Sequence, residues 1–263
     1  MNNSLIEVEQ HNGTATIWLN RPEVRNAFNE LVIEELLNAL NLLDNDDRVR
    51  VIIIRGKGSV FCAGADLKWM KGSSERGYDG YYAESVILAD CFQAVYECEK
   101  PTVAVVHGAC MGGANGIVAA CDFVLADEST RFSFSEVKLG IIPACIAPYV
   151  IKRIGEYSAR ELMLTGKSFD GYKAQQCGLV NESLKGEDVE IRLTSLLDEL
   201  MLGGPHAQRS CKYLIDQVAN HWSEFDMKEH TVQAIVKAKM SEEGQEGMAA
   251  FLEKRKPKWQ NND

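Results

Sequence analysis

The stretch HGACMGGANGIVAACD, from His107 to Asp122, places Gly112 and Gly113 side by side and Gly116 three residues on. ANGIVAAC otherwise reads as the opening of a buried helix, where each glycine costs about 1 kcal/mol against alanine. Consecutive small residues at such a start leave backbone N–H groups without an intrahelical partner, and the helix dipole adds partial positive charge. The chemistry this suits is the binding of negative charge. Two forms compete: a phosphate cradle, as in nucleotide-binding loops, or an oxyanion hole for a carbonyl oxygen that gains charge during reaction. The sequence contains neither G-x-G-x-x-G nor G-x-x-x-x-G-K-[ST], which weighs against phosphate. A third reading needs no ligand: the glycines let the helix pack closely on a neighbour.

The elements that would position this loop follow from periodicity. SLIEVEQ and TATIWLN alternate around Asn12-Gly13, the signature of a hairpin of two antiparallel strands. From Glu30 to Leu43, the residues Leu31, Ile33, Leu36, Leu37, Leu40 and Leu43 recur at helical spacing. VRVIIIRG reads as a buried strand, followed by KGSVFCAGADLKWM, a loop of small residues, and later by an amphipathic helix from about Tyr82 to Glu97. The plan then repeats. KPTVAVVHG is another buried strand, and ACMGGANGIVAAC another small-residue loop, running directly into a helix. Strands alternating with helices predict an α/β core. DFVLADESTRFSFSEVKLG suggests short strands, and helices follow through APYVIKRIG and SARELMLTG. From about Val189 no strand pattern remains, and four helical stretches lead to the basic end EKRKPKW. Turn residues cluster at Gly203-Gly204-Pro205, which predicts a core over residues 1–203 and a helical region over 204–263, suited to packing on other subunits.

Composition narrows the partners. The chain has 263 residues, 46% apolar and 25% charged, the proportions of a globular protein. A net charge of −10 argues against nucleic acid, whose phosphates must be neutralised, and less against a small anion that needs only a local patch. MNNSLIEVEQ has no basic residue and no long apolar core, so a cytoplasmic location is expected. The apolar region Pro101 to Ala126 is broken by His107, Asn115 and Asp122 and reads as core, with no membrane partner expected. Eight cysteines without a C-x-x-C pair read as reduced thiols; Cys62, beside a small-residue loop, has a nucleophile reading but no basic partner nearby in sequence. Five histidines lack metal-ligand spacing, so no metal site is expected.

VFCAGADLKWM, KPTVAVVHGACMGGANGIVAACDFVLAD, RFSFSEVKLGIIPA and SARELMLTGKSFDGYKAQQCGLV together resemble the enoyl-CoA hydratase/isomerase (crotonase) family in order and spacing. They span about Asn20 to Asn181, with a weaker match at FLEKRKPKW. The resemblance implies a spiral of β-β-α repeats carrying the active site and a C-terminal helical region that forms homotrimers or hexamers. It implies an acyl-CoA thioester substrate, with coenzyme A entering as part of that substrate and no separate cofactor. It places the backbone N–H groups of Ala65 and Gly113 around the thioester oxygen, with Gly112 keeping the approach clear, and makes Glu136 the acid–base group. Arg25, Ala63, Asp66 and Leu67 match positions that hold the adenine and pantetheine parts of coenzyme A, and Ser135 and Pro143 are counted with the substrate-binding residues. Lys254, Arg255 and Lys258 are placed toward the phosphates, with a solvated basic tail as the alternative.

The sequence also departs from the family. Hydratases of this family use two glutamates; one falls on Glu136, the other on Gly116, which has no side chain to act as a base. The glycine-rich turn after IIP is replaced by PACIAPYV, from Pro143 to Val150. A single carboxylate fits isomerisation of a 3-enoyl-CoA to a 2-enoyl-CoA. The run SEVKLGIIPACIAPYVIKRIGEYSARELMLT, however, resembles bacterial hydratases of 3-methylglutaconyl-CoA and related branched substrates. Hydration is therefore the first expectation and isomerisation the second; a non-catalytic acyl-CoA binding protein is the reading from another class. Gly116 is expected to leave space for a bulky or carboxylated acyl group.

Overall fold

A computed structural model describes residues 4–223 and 226–260. The chain divides into two compact units, Met1–Cys98 with Thr102–Leu193, and Glu99–Pro101 with Thr194–Asp263. The first opens with the hairpin expected at Asn12-Gly13: β1 (Ile6–His11) and β2 (Thr14–Leu19) run antiparallel, Ile6 opposite Leu19. Alternation buries Ala15, Ile17 and Leu19 and leaves Trp18 on the other face, under the cations of Arg55 and Lys57. Next comes α1 (Glu30–Asp44), started by Asn29, whose side chain accepts the Val32 N–H at 3.0 Å. Its buried stripe of Val32, Ile33, Leu36, Leu40 and Leu43 lies against the sheet core.

Three repeats build the rest of this unit. β3 (Val51–Gly56) passes through a bridge at Cys62 into α2 (Leu67–Glu75) and α3 (Gly77–Glu97). β4 (Thr102–Val106) passes through β5 (Ala109–Met111) into α4 (Ala114–Ala120). β6 (Phe123–Asp127) passes through β7 (Arg131–Ser133) and a 3-10 turn at Ser135–Leu139 into α5 (Ala147–Thr165), which is kinked at Gly155. After α6 (Gly171–Gln176) comes β8 (Glu182–Leu184). Among the described residues the main sheet has the order β1-β2-β3-β4-β6-β8, parallel from β2 onward. β3 and β4 are almost wholly buried, as continuous Val/Ile strands in a covered parallel sheet should be. β5 and β7 pair separately, and bridges at Cys62–Cys110 and Phe132–Phe169 extend that second ladder on both sides. Each repeat thus gives one strand to the core and one short segment to a second ladder. The expected β-β-α spiral is present, and the second ladder gathers the loop ends.

Two boundaries differ from the sequence expectation. The region before Tyr82 holds α2, and α3 begins at Gly77. The first turns of α3 expose Tyr78, Tyr81 and Tyr82, so no apolar stripe marks them. The second unit comprises the end of α7 (Gly186–Leu202), α8 (Pro205–Asn220), α9 (Met227–Met240) and α10 (Glu242–Leu252). It begins within α7, ahead of the Gly203-Gly204-Pro205 turn, which separates two helices of one unit. At that turn Glu243 accepts the N–H groups of His206 and Ala207 at 3.0 and 2.7 Å, so the α8 start is capped from inside the unit. No described helix is long and apolar enough to cross a membrane.

Candidate active site

Three segments converge through backbone hydrogen bonds. The Ala63 N–H donates to Arg25 O at 2.9 Å, Phe28 N–H to Gly64 O at 2.8 Å, and Asp66 N–H to Phe28 O at 2.7 Å. Cys62 is joined in the same way to Ala109 and Met111 of β5. Gly64 has φ +91°, and a Cβ there would fall 2.8 Å from Met111 O, so only glycine lets the two loops approach this closely. The result is specific. Neither the Ala65 N–H nor the Gly113 N–H donates to an acceptor among the described residues, while the N–H groups of Gly64 and Asp66, on either side of Ala65, and of Gly112, just before Gly113, are paired. Both residues are partly buried, so these N–H groups are open to an acceptor on a bound molecule. Because α4 is only two turns long, what it offers is individual N–H groups more than a macrodipole.

Glu136 sits beside Gly112. It lies in the 3-10 turn that follows β7, and a Cβ on Gly112 would come within 3.2 Å of its Oε1, so Gly112 keeps that approach clear. The other oxygen, Oε2, is buried and has no hydrogen-bond partner. Burial raises the carboxyl above its ordinary value, which suits a group that must hold and release a proton. Ser135 opens the same turn, partly buried, and the Pro143 carbonyl accepts the Ala147 N–H where α5 starts.

The other expected contacts divide. Arg25 has an exposed side chain and left-handed backbone (φ 55°), and its carbonyl anchors Ala63. The side chain of Asp66 is committed: it pairs with Arg21 at 3.1 Å and accepts the Lys68 N–H at 2.8 Å. Burial alone would push its pKa up, but the Lys68 N–H and the Arg21 guanidinium outweigh this and hold it low. Leu67 opens α2, and its side chain lies outside the described residues. Lys254, Arg255 and Lys258 belong to the second unit. There Arg255 grips both oxygens of Glu246 at 2.6 and 3.0 Å and also Glu253, so its charge is largely spent, while Lys254 and Lys258 are exposed. The Cys62 thiol is fully buried and pushed up to about 12 by desolvation, which removes it as a nucleophile.

Gly116 is a correction. A Cβ there would lie 2.5 Å from Ile146 Cγ2 and 2.7 Å from Phe92 Cε1. The space expected for a bulky acyl group is filled, and this glycine serves close packing of α4. Several site-shaping residues escaped the sequence reading. Asn26, buried, ties its segment to the carbonyls of Lys57, Val60 and Phe61; Arg21 holds Asp66; Phe92 walls the glycines. Glu84 on α3 also has a buried oxygen without a partner. A polar residue inside an otherwise apolar pattern was the available signal for Asn115; Asn26, in the polar run RPEVRNAFNE, carried none.

The family profile described as enoyl-CoA hydratase/isomerase matches residues 9–262. The chain belongs to that family. Enoyl-CoA hydratase AKT6-1 of Alternaria alternata is 32% identical over 251 residues, covering 95% of this chain and 82% of the relative. Trans-2-decenoyl-[acyl-carrier-protein] isomerase of Streptococcus mutans is 31% identical over 255 residues, covering 94% and 95%. The crystal structure of an enoyl-CoA hydratase from Shewanella pealeana superposes with a TM-score of 0.92 at 33% identity, covering 97% of this chain and 96% of that one. The spiral is therefore the crotonase fold, and the protein is an enzyme of the hydratase/isomerase family.

Proposed function

We propose that this enzyme hydrates 2-enoyl-CoA thioesters through an enolate, with Glu136 as its acid–base group and the N–H groups of Ala65 and Gly113 as its oxyanion hole. One observation carries the reading: two unpaired peptide donors, on loops brought together at Gly64 and Met111, with a partly buried carboxylate beside Gly112 whose Oε2 is buried and unpaired. Water adds its oxygen to the β-carbon, and the double-bond electrons move onto the thioester oxygen held by the two N–H groups. Glu136 takes the water proton and passes one to the α-carbon, returning as carboxylate. Arranging both donors before charge develops contributes several kcal/mol to the transition state.

The acyl group we favour is branched or carboxylated, such as 3-methylglutaconyl, on the resemblance of the run from Ser135 to Thr165. Gly116 contributes no room for it. Isomerisation is the second reading, favoured by the absence of a carboxylate at Gly116 and by the isomerase among the relatives. Coenzyme A is proposed to enter as part of the substrate with no separate cofactor. Exposed Tyr213, Ile235 and Phe251 on the second unit support a homotrimer or hexamer, and eight cysteines held outside any disulfide support a cytoplasmic location. Following thioester absorbance with crotonyl-CoA, a 3-enoyl-CoA and 3-methylglutaconyl-CoA tests the proposal. Loss of the conjugated band with the first or third supports hydration; appearance of that band from the second alone selects isomerisation.

A further inference from the structure

We infer that Asn115 is a positioning residue for the oxyanion contact: its side-chain amide holds the Gly112–Gly113 peptide plane, and so aims and strengthens the Gly113 N–H. The inference rests on the reading of that N–H proposed above. Asn115 lies in the first turn of α4, fully buried among Ala114, Ile117 and Val118. Its Nδ2 donates to Gly112 O at 3.0 Å, to Ser133 O at 3.1 Å and to Cys110 O at 3.3 Å. Three carbonyl acceptors leave no doubt which end of the amide is nitrogen.

The Gly112 carbonyl and the Gly113 N–H are two ends of one peptide group. A donor fixed on that carbonyl restrains rotation of the plane and draws electron density from the amide, which makes its N–H a stronger donor. The Asn115 backbone N–H reaches the same carbonyl at 3.0 Å. Ser133 O receives the Gly112 N–H at 2.9 Å as well as Asn115 Nδ2, and Ser133 ends β7, just before the turn that carries Glu136. One side chain therefore ties the oxyanion peptide to the segment that delivers the base. This comes at a cost, because Asn115 Oδ1 is buried without a partner. Packing alone favours a leucine of similar volume, which has no oxygen to strand.

The test uses Asn115→Leu and Asn115→Ser with three readouts: the red shift of enzyme-bound 2,4-hexadienoyl-CoA, which reports polarisation of the thioester carbonyl; kcat and KM for crotonyl-CoA; and Tm. The expected result for leucine is a smaller red shift and kcat lowered about tenfold, less than outright loss of an oxyanion donor, with KM within about twofold and Tm held or raised. Serine, which keeps one donor, is expected between leucine and wild type. A folded leucine variant with the full red shift and wild-type kcat overturns the inference. If leucine does not fold, a serine variant indistinguishable from wild type overturns it. A wild-type enzyme that leaves the dienoyl band unshifted overturns the oxyanion reading itself.

Discussion

Gly113 and Gly116 stand about one helical turn apart and serve opposite ends. At Gly113 an added Cβ meets only Phe92 Cζ at 3.7 Å, an ordinary contact, and the N–H has no acceptor. At Gly116 the N–H is used within the turn, on Gly113 O at 2.9 Å, and an added Cβ collides with Ile146 and Phe92. The first glycine exposes a peptide group; the second admits a neighbouring side chain. What tells them apart is what is left unpaired and what is touched. The Phe92 ring borders both, so the packing at Gly116 also builds the wall beside Gly113.

The comparison breaks first at Gly113. Its φ of −54° suits proline, so Gly113→Pro should fold yet lose the N–H, lowering turnover by about a hundred- to a thousandfold. Gly113→Ala keeps the N–H and should stay within several-fold of wild type. A folded proline variant turning over at the wild-type rate contradicts the assignment. Next in size is Glu136→Gln, expected to lower turnover about a hundredfold while leaving coenzyme A affinity unchanged, measured by steady-state kinetics and by binding of a saturated acyl-CoA.

Gly116→Ala should act on stability instead. Overpacking against Ile146 and Phe92 costs about 1–3 kcal/mol, partly offset by about 1 kcal/mol of helix propensity. Urea unfolding should show the loss, and Ile146→Ala in the same chain should relieve it. Turnover per folded molecule should fall far less than for Gly113→Pro. A Gly116→Glu enzyme with a wild-type urea midpoint would restore the open-space view.

The smallest effect is a stability difference at Glu136. Burial raises its folded pKa, so the folded state holds the proton more tightly than the unfolded chain. Stability is then greatest at low pH and falls as pH rises from the ordinary carboxyl value through the raised one. Glu136→Gln removes this penalty, so its Tm should exceed that of wild type at pH 7 and match it near pH 4. An unchanged difference across that range removes the desolvation argument.

What could be read from sequence was what is local. The hairpin at Asn12-Gly13, the α1 stripe and the two small-residue loops each carry their signal within a few residues, and the resemblance proposed Ala65, Gly113 and Glu136 as one group, of which Glu136 lies beside Gly112. Gly116 was misread because its contacts, Phe92 and Ile146, come from distant parts of the chain and left no mark near the glycine. Asp66 was placed against coenzyme A, yet its side chain is taken by Arg21, a pairing that exists only once the Arg25–Phe28 segment crosses the small-residue loop. Asn115 interrupts an apolar helix opening, a visible anomaly whose meaning depends on three carbonyls gathered by β5 and β7.

Gly113 and Glu136 are proposed to act on one enolate. Exchange of the α-protons of butyryl-CoA in D2O, followed by proton NMR, tests this whether the enzyme is a hydratase or an isomerase. Wild type and Gly116→Ala should exchange at similar rates per folded molecule, and Gly113→Pro and Glu136→Gln should each be about a hundredfold slower or more. Exchange that persists at the wild-type rate in folded Glu136→Gln, or in folded Gly113→Pro, would contradict the account.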